Sequence, residues 1–184
     1  GETDSVYRRN RGNCAGIRYE GGGHRGTPGK ERAMQKGMEM KKNGRQTETM
    51  RMEIESRSEN EEFARVAAAV FLSRLDPTVE EMDDIKTAVS EAVTNAVIHG
   101  YGGGEGTIYI EIQVCGREAR ITIRDEGVGI ADIGKAMEPM YTSDPSGERS
   151  GMGFSFMEAF MDQVAVESEP GRGTAVIMTK TVGR

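Results

Sequence analysis

Glu91 and Asn95 stand four residues apart in the segment Glu91-Ala-Val-Thr-Asn95. In a helix that spacing places both side chains on one face. A carboxylate there can accept a proton, and an amide oxygen can ligand Mg²⁺ without adding charge. The solvated polar edge of an amphipathic helix would carry the same pair. Further along, Asp125-Glu-Gly-Val-Gly-Ile130 sets an acidic residue at a strand end ahead of two glycines. Such an aspartate can accept a hydrogen bond from an exocyclic amine, while Gly127 and Gly129 let a planar ring approach the backbone. A plain turn after a strand fits these residues too. In Arg149-Ser-Gly-Met-Gly-Phe154, glycines precede a helix start, where free backbone N–H groups meet a phosphate and Arg149 adds a charged donor. Last, Gly173-Thr174 offers a hydroxyl that can complete an adenine pocket through water.

Several other chemistries lack their residues. No GxxxxGKS/T occurs, since Glu31 follows the Gly29-Lys30 pair. No GxGxxG occurs either: Asp132 and Phe156 stand where the third glycine is required after Gly127-Val-Gly129 and Gly151-Met-Gly153. P-loop and Rossmann nucleotide binding are therefore disfavoured. His24 and His99 lie apart from any nucleophile signature and from each other, so neither a Ser/His/Asp triad nor a zinc site is expected. Cys14 and Cys115 give no disulfide framework.

Taken together and in order, the four elements resemble the N box, the DxGxG box, the glycine-rich lid box and the terminal GT of the Bergerat-fold ATPases, a superfamily that includes histidine kinases and gyrase. The segments SEAVTNAVIHGY, IRDEGVGI and ERSGMGFSFMEAFMD are similar, more closely, to those of its sporulation serine kinases that act as anti-sigma factors. The likeness spans about residues 50–182. It implies an ATP/ADP–Mg²⁺ site, kinase activity toward a serine of an anti-anti-sigma factor, and a homodimer that silences an RNA polymerase sigma factor. By the same resemblance Glu91 is the general base and Asn95 the Mg²⁺ ligand. Asp125 reads the adenine amine, with Gly127, Gly129 and Thr174 shaping the pocket. Arg149, Ser150, Gly151 and Gly153 hold the phosphates, Arg149 also serving catalysis. Arg65 matches the first-helix arginine that grips protein partners; a helix salt bridge to Glu61, worth ~0.3–0.5 kcal/mol, is the alternative. Asp144 departs from the family, which commonly has lysine there. A carboxylate turned inward would repel the phosphates, so Asp144 is expected to face solvent.

Two other classes compete. An ATP-hydrolysing module that drives conformational change, as in gyrase, resembles this chain in the N box but continues into a second domain. A non-catalytic module that only sequesters a sigma factor would need no general base, so Glu91, Asn95 and Arg149 speak against it.

The elements that must position these groups follow from periodicity. Met50, Met52 and Ile54 alternate as in a half-buried strand. Ser58 and Glu61 form a capping-box pattern before Phe63, Val66, Ala67, Val70 and Phe71 at helical spacing, and Asp76-Pro77 stops that helix. Thr78 and Glu81 form a second capping box, after which Met82, Ile85, Val89, Ala92, Val93, Ala96 and Val97 trace one apolar stripe ended by glycines from Gly100. Ile108 to Val114 and Ala119 to Ile123 read as two strands. Residues 131–150 read as a mobile loop with one helical turn, followed by a short helix after Gly153. Gln163 to Glu169 and Thr174 to Thr179 read as closing strands around Pro170-Gly171. The order β-α-α-β-β-α-β-β predicts a two-layer α/β sandwich, with a mixed sheet carrying its helices on one face.

Composition sets the boundaries. The 184 residues carry a net charge of −6, but residues 1–46 hold 11 Lys/Arg against 5 Asp/Glu and ten glycines. That stretch cannot bury enough apolar surface to offset its ordering entropy and is expected to be a disordered extension. Its basic residues lack an aromatic platform, so no direct nucleic-acid role is expected. Residues 47–184 form the ATP-binding kinase domain on this reading. The longest apolar run, Val66 to Leu72, is far short of the ~20 residues that span a bilayer. No membrane contact and a cytoplasmic location are expected.

Overall fold

The computed structural model describes residues 5–10 by their backbone, and residues 47–138 and 152–183 in full. Strand β2 (Thr47–Glu55) turns Met50, Met52 and Ile54 inward and its alternate residues outward. Helix α1 (Glu59–Leu72) follows, then a 3-10 turn over Ser73–Leu75, which ends at Asp76 in the left-handed region (φ 54) just before Pro77. Helix α2 (Val79–Asn95) runs on into a π turn over Ala96–Gly100. Strands β3 (Thr107–Cys115) and β4 (Glu118–Arg124) form a hairpin, and a single helical turn, α3 (Ile133–Ala136), follows. Helix α4 (Gly153–Phe160) leads into a second hairpin of β5 (Gln163–Glu169) and β6 (Gly173–Thr181).

Only the second of the two capping boxes forms. The Thr78 hydroxyl accepts the Glu81 N–H at 3.1 Å, and the Glu81 carboxylate accepts the Thr78 N–H at 2.8 Å. Ser58 already has helical backbone angles, so its side chain makes no cap bond and α1 starts through turns such as Glu61 N–H to Ser58 O. The buried stripe of α1 also differs from expectation. Ala64, Ala68 and Leu72 face the core, whereas Phe63, Val66 and Val70 are 58%, 49% and 69% exposed. Small alanines let α1 lie close against α2, and that contact sets the rotation of the helix.

With β1 spanning Ser5–Asn10, the six strands lie in the order β1-β5-β6-β4-β3-β2. A two-layer α/β arrangement is as expected, but every ladder among the described strands is antiparallel rather than mixed. Strands β4 and β5 run in the same direction, yet β6 separates them, so they never pair. The additional strand, β1 (Ser5–Asn10), lies inside the stretch expected to be disordered and pairs along the outer edge of β5. An exposed edge recruits a partner through main-chain groups alone, so a segment poor in apolar residues can be ordered there. The remainder of residues 1–46 lies outside the described residues.

One polar clamp joins the layers. Lys180 on β6, with its side chain 12% exposed, donates to Asp84 of α2 at 2.8 Å and to the Phe160 carbonyl at the end of α4. It fixes the far end of the helix whose first residue reaches the site.

Candidate nucleotide site

Asp125 follows directly on β4, on the helix-facing side of the sheet, and is 5% exposed. Its N–H donates to Thr174 O at 2.9 Å, and its Oδ1 accepts the Gly127 N–H at 2.9 Å. Burial pushes this carboxyl above its ordinary pKa; hydrogen bonds from the Gly127 and Thr174 backbone and the charge of Arg124 partly offset that. The end of the π turn lies against it, since a Cβ at Gly100 would fall 2.9 Å from the Asp125 Cγ and Oδ1. A π turn is uncommon and frequently marks a functional site. Here it carries the chain from the Asn95 level of α2 to the Asp125 carboxylate.

The two glycines after Asp125 meet protein backbone. A Cβ at Gly127 would lie 2.0 Å from Gly100 O, and one at Gly129, whose φ is 71°, would lie 2.2 Å from Glu169 O. The glycines therefore let the turn close onto Gly100 on one side, where Val128 N–H donates to Gly100 O, and onto β5 on the other. A methyl at Gly127 forces the backbone apart, and overpacking of this kind costs ~1–3 kcal/mol. Gly127→Ala is expected to lower the melting temperature by several degrees in a circular-dichroism melt. An unchanged melting curve would show that this packing contributes nothing.

Two supports escaped sequence reasoning. The Tyr101 hydroxyl accepts the Glu126 N–H at 2.8 Å and donates to Thr107 O at 2.6 Å, pinning the turn beside Asp125. Its ring fills the space where a Gly106 side chain would stand. Ser168 is 8% exposed and takes the Ile130 N–H at 2.8 Å while contacting Gly173 O and the Thr174 hydroxyl, each at 2.9 Å. Tyr101 closes the segment SEAVTNAVIHGY that carries the family likeness, but the likeness gives it no role, and for Ser168 the only signal was its place on the core-facing phase of β5.

Glu91 and Asn95 project from α2 onto the first residue of α4. A Cβ at Gly153 would fall 2.9 Å from Glu91 Oε2 and 3.4 Å from Asn95 Oδ1. Glu91, Asn95 and Gly153 are thus brought together, while Asp125 and Gly127 meet Gly100 farther along the same helical run, Thr174 bonds Asp125, and Gly129 lies against Glu169 of β5. Arg149, Ser150, Gly151 and Asp144 lie outside the described residues. Arg65 sits apart on α1, half-exposed, and pairs with Glu62 at 3.4 Å rather than with Glu61.

Among the described residues no helix is long and apolar enough to cross a membrane. A family model described as "Histidine kinase-like ATPase domain" matches residues 44–180. The anti-sigma F factor of Clostridium kluyveri is 55% identical over 132 residues, covering 72% of this chain and 93% of that protein. Those of Clostridium botulinum and Clostridium acetobutylicum are 58% identical over 132 and 131 residues, covering 71% of this chain and 92% of each. The chain belongs to the histidine kinase-like ATPase domain family, within its anti-sigma F factors.

Proposed function

We propose that this protein is an anti-sigma factor and protein-serine kinase. It binds ATP with Mg²⁺, holds an RNA polymerase sigma factor as a homodimer in the cytoplasm, and phosphorylates a serine of its anti-anti-sigma factor. The observation that carries the reading is the meeting of Glu91 and Asn95 at Gly153, one helical run away from a buried aspartate suited to a base amine. Asp125 accepts from the adenine amine, and Gly127, Gly129 and Thr174 shape the wall around it. Backbone N–H groups at the start of α4, at Gly153, face the phosphates. Arg149, Ser150 and Gly151 complete that cradle, with Arg149 countering charge on the transferred phosphoryl group.

Hard oxygen donors fit Mg²⁺, which commonly takes one or two protein ligands and shares the rest among water and substrate phosphates. The Asn95 amide oxygen, 3.4 Å from where a Gly153 side chain would begin, would supply such a ligand. When bound, Mg²⁺ neutralises charge developing on the phosphates. Glu91 takes the proton of the incoming serine hydroxyl as its oxygen bonds to the γ-phosphorus and ADP leaves. Incubating the chain with ATP and candidate anti-anti-sigma proteins tests the reading. Phosphate on a partner serine is expected; ATP hydrolysis without transfer would favour the conformational ATPase instead.

Arg65 is assigned to the partner surface because exposed Phe63 and Val66 flank it on α1. Arg65→Ala is expected to weaken sigma-factor and substrate binding by ~2 kcal/mol, a typical loss for a central interface arginine, and to leave ADP binding unchanged. Wild-type partner affinity in surface plasmon resonance would leave Arg65 only its surface pair with Glu62.

A further inference from the structure

Asp125, Thr174 and Ser168 form a polar row across β4, β6 and β5 on the helix-facing side of the sheet. Ser168 is the direct cross-strand partner of Thr174, and Asp125 bonds the Thr174 carbonyl. The Ser168 hydroxyl has one hydrogen and two lone pairs. The Ile130 N–H can only donate to it, and the Gly173 carbonyl can only accept from it. Its third contact, to Thr174 Oγ1 at 2.9 Å, must then use the remaining lone pair. The Thr174 hydroxyl therefore donates into Ser168, and its own hydrogen is spent there.

We infer that Ser168 is a specificity-determining positioning residue. By fixing the Thr174 hydroxyl as an acceptor, it makes the wall beside Asp125 acceptor-only, selecting a 6-amino purine nucleotide over a 6-oxo one. The inference rests on the nucleotide reading above and adds the residue that sets base choice. An amine presents hydrogens to both Asp125 and Thr174, directly or through water. A carbonyl at the same place meets lone pairs on both sides, and a buried mismatch of this kind cannot be relieved while Thr174 is held. Removing Ser168 frees the threonine to rotate and donate, so the wall loses its preference.

The test is calorimetric binding of ADP and of IDP, which has a carbonyl where ADP has the amine. The wild-type chain is expected to favour ADP by about 10²-fold or more. Ser168→Ala is expected to narrow that ratio by about tenfold, and Ser168→Thr, which restores the hydroxyl, to keep it. Because Ser168 acts through Thr174, the double variant Ser168→Ala/Thr174→Val should match Thr174→Val alone. If Ser168→Ala weakens ADP and IDP equally and leaves the ratio intact, Ser168 merely braces the loop and the inference falls, while the nucleotide site stands. Failure of the wild type to bind either nucleotide overturns the site and the inference together. Where Ser168→Ala does not fold, Ser168→Cys replaces it, a thiol being too weak a partner to hold the threonine; an unchanged ratio there also overturns the inference.

Discussion

Glu91→Gln is expected to bind ATP much as the wild type does and to lose phosphoryl transfer by about 10²–10³-fold. The amide keeps nearly the volume of the carboxylate, so α2 and its buried stripe of Ile85, Val89, Ala92 and Val93 should survive. Asn95 and Gly153 remain in place. What disappears is the carboxylate proposed to take the serine proton. Positioned acid–base groups contribute up to about 10⁴-fold, but the transition state of phosphoryl transfer is loose and positioning supplies much of the rate, which argues for the smaller loss. The variant should remain an inhibitor that cannot phosphorylate its release factor. Single-turnover transfer from ATP to the partner serine measures the effect. Transfer within about twofold of wild type, far below the loss of a general base, would remove Glu91 from that role.

Asp125→Asn is expected to lose most nucleotide affinity. A buried acceptor becomes partly a donor opposite an amine, and the unpaired groups cost about 1–3 kcal/mol, roughly tenfold to a hundredfold in affinity. Titration provides a second reading of the same residue. Burial raises the Asp125 pKa in the free chain, whereas the amine prefers the carboxylate, so binding draws the pKa back down. ADP affinity should therefore climb as pH rises through the raised value and level off above it; in Asp125→Asn this dependence should vanish. For the nucleotide-free fold the sign is reversed. A carboxyl whose folded pKa is raised contributes stability that is complete below its unfolded pKa and fades as pH rises through the folded one. Unchanged ADP binding by Asp125→Asn in calorimetry would remove this residue from the base pocket.

The helical periodicity of residues 79–97 and the alternation in β3 and β4 were legible because each element buries one continuous face. The Thr78–Glu81 cap was legible because both halves are local, whereas Ser58 shows that the same pattern fails once the N-cap residue turns helical. The rotation of α1 was hidden: Phe63 and Val70 outweigh Ala64 and Ala68 in any apolar count, but the contact with α2 selects small side chains. Strand β1 was hidden for a related reason, as main-chain pairing to β5 leaves no apolar signature. Glu91, Asn95, Asp125 and the glycines could be singled out only as an ordered set resembling the family, since each alone also fits a polar helix edge or a plain turn. Tyr101 and Ser168 could not be singled out, since each acts through one hydroxyl on backbone groups that are distant in sequence.

The placement of β6 between β4 and β5 bears on how the molecule is made. Without β6 the sheet divides into β2-β3-β4 on one side and β5 with β1 on the other, with no ladder joining them. Domains emerge from the ribosome N-terminal end first, so α1, α2 and the β3–β4 hairpin are complete while the central strand has yet to be synthesised. Until β6 pairs with β4, Asp125 has no Thr174 carbonyl beside it, and Ser168 on β5 is not held against the Asp125–Ile130 turn. The apolar undersides of β4 and β5 stay uncovered along the seam for the same interval. The Thr174 side of the base pocket therefore arrives in one late, non-local step, after the Gly100–Val128 and Tyr101–Glu126 contacts around Asp125 can already form.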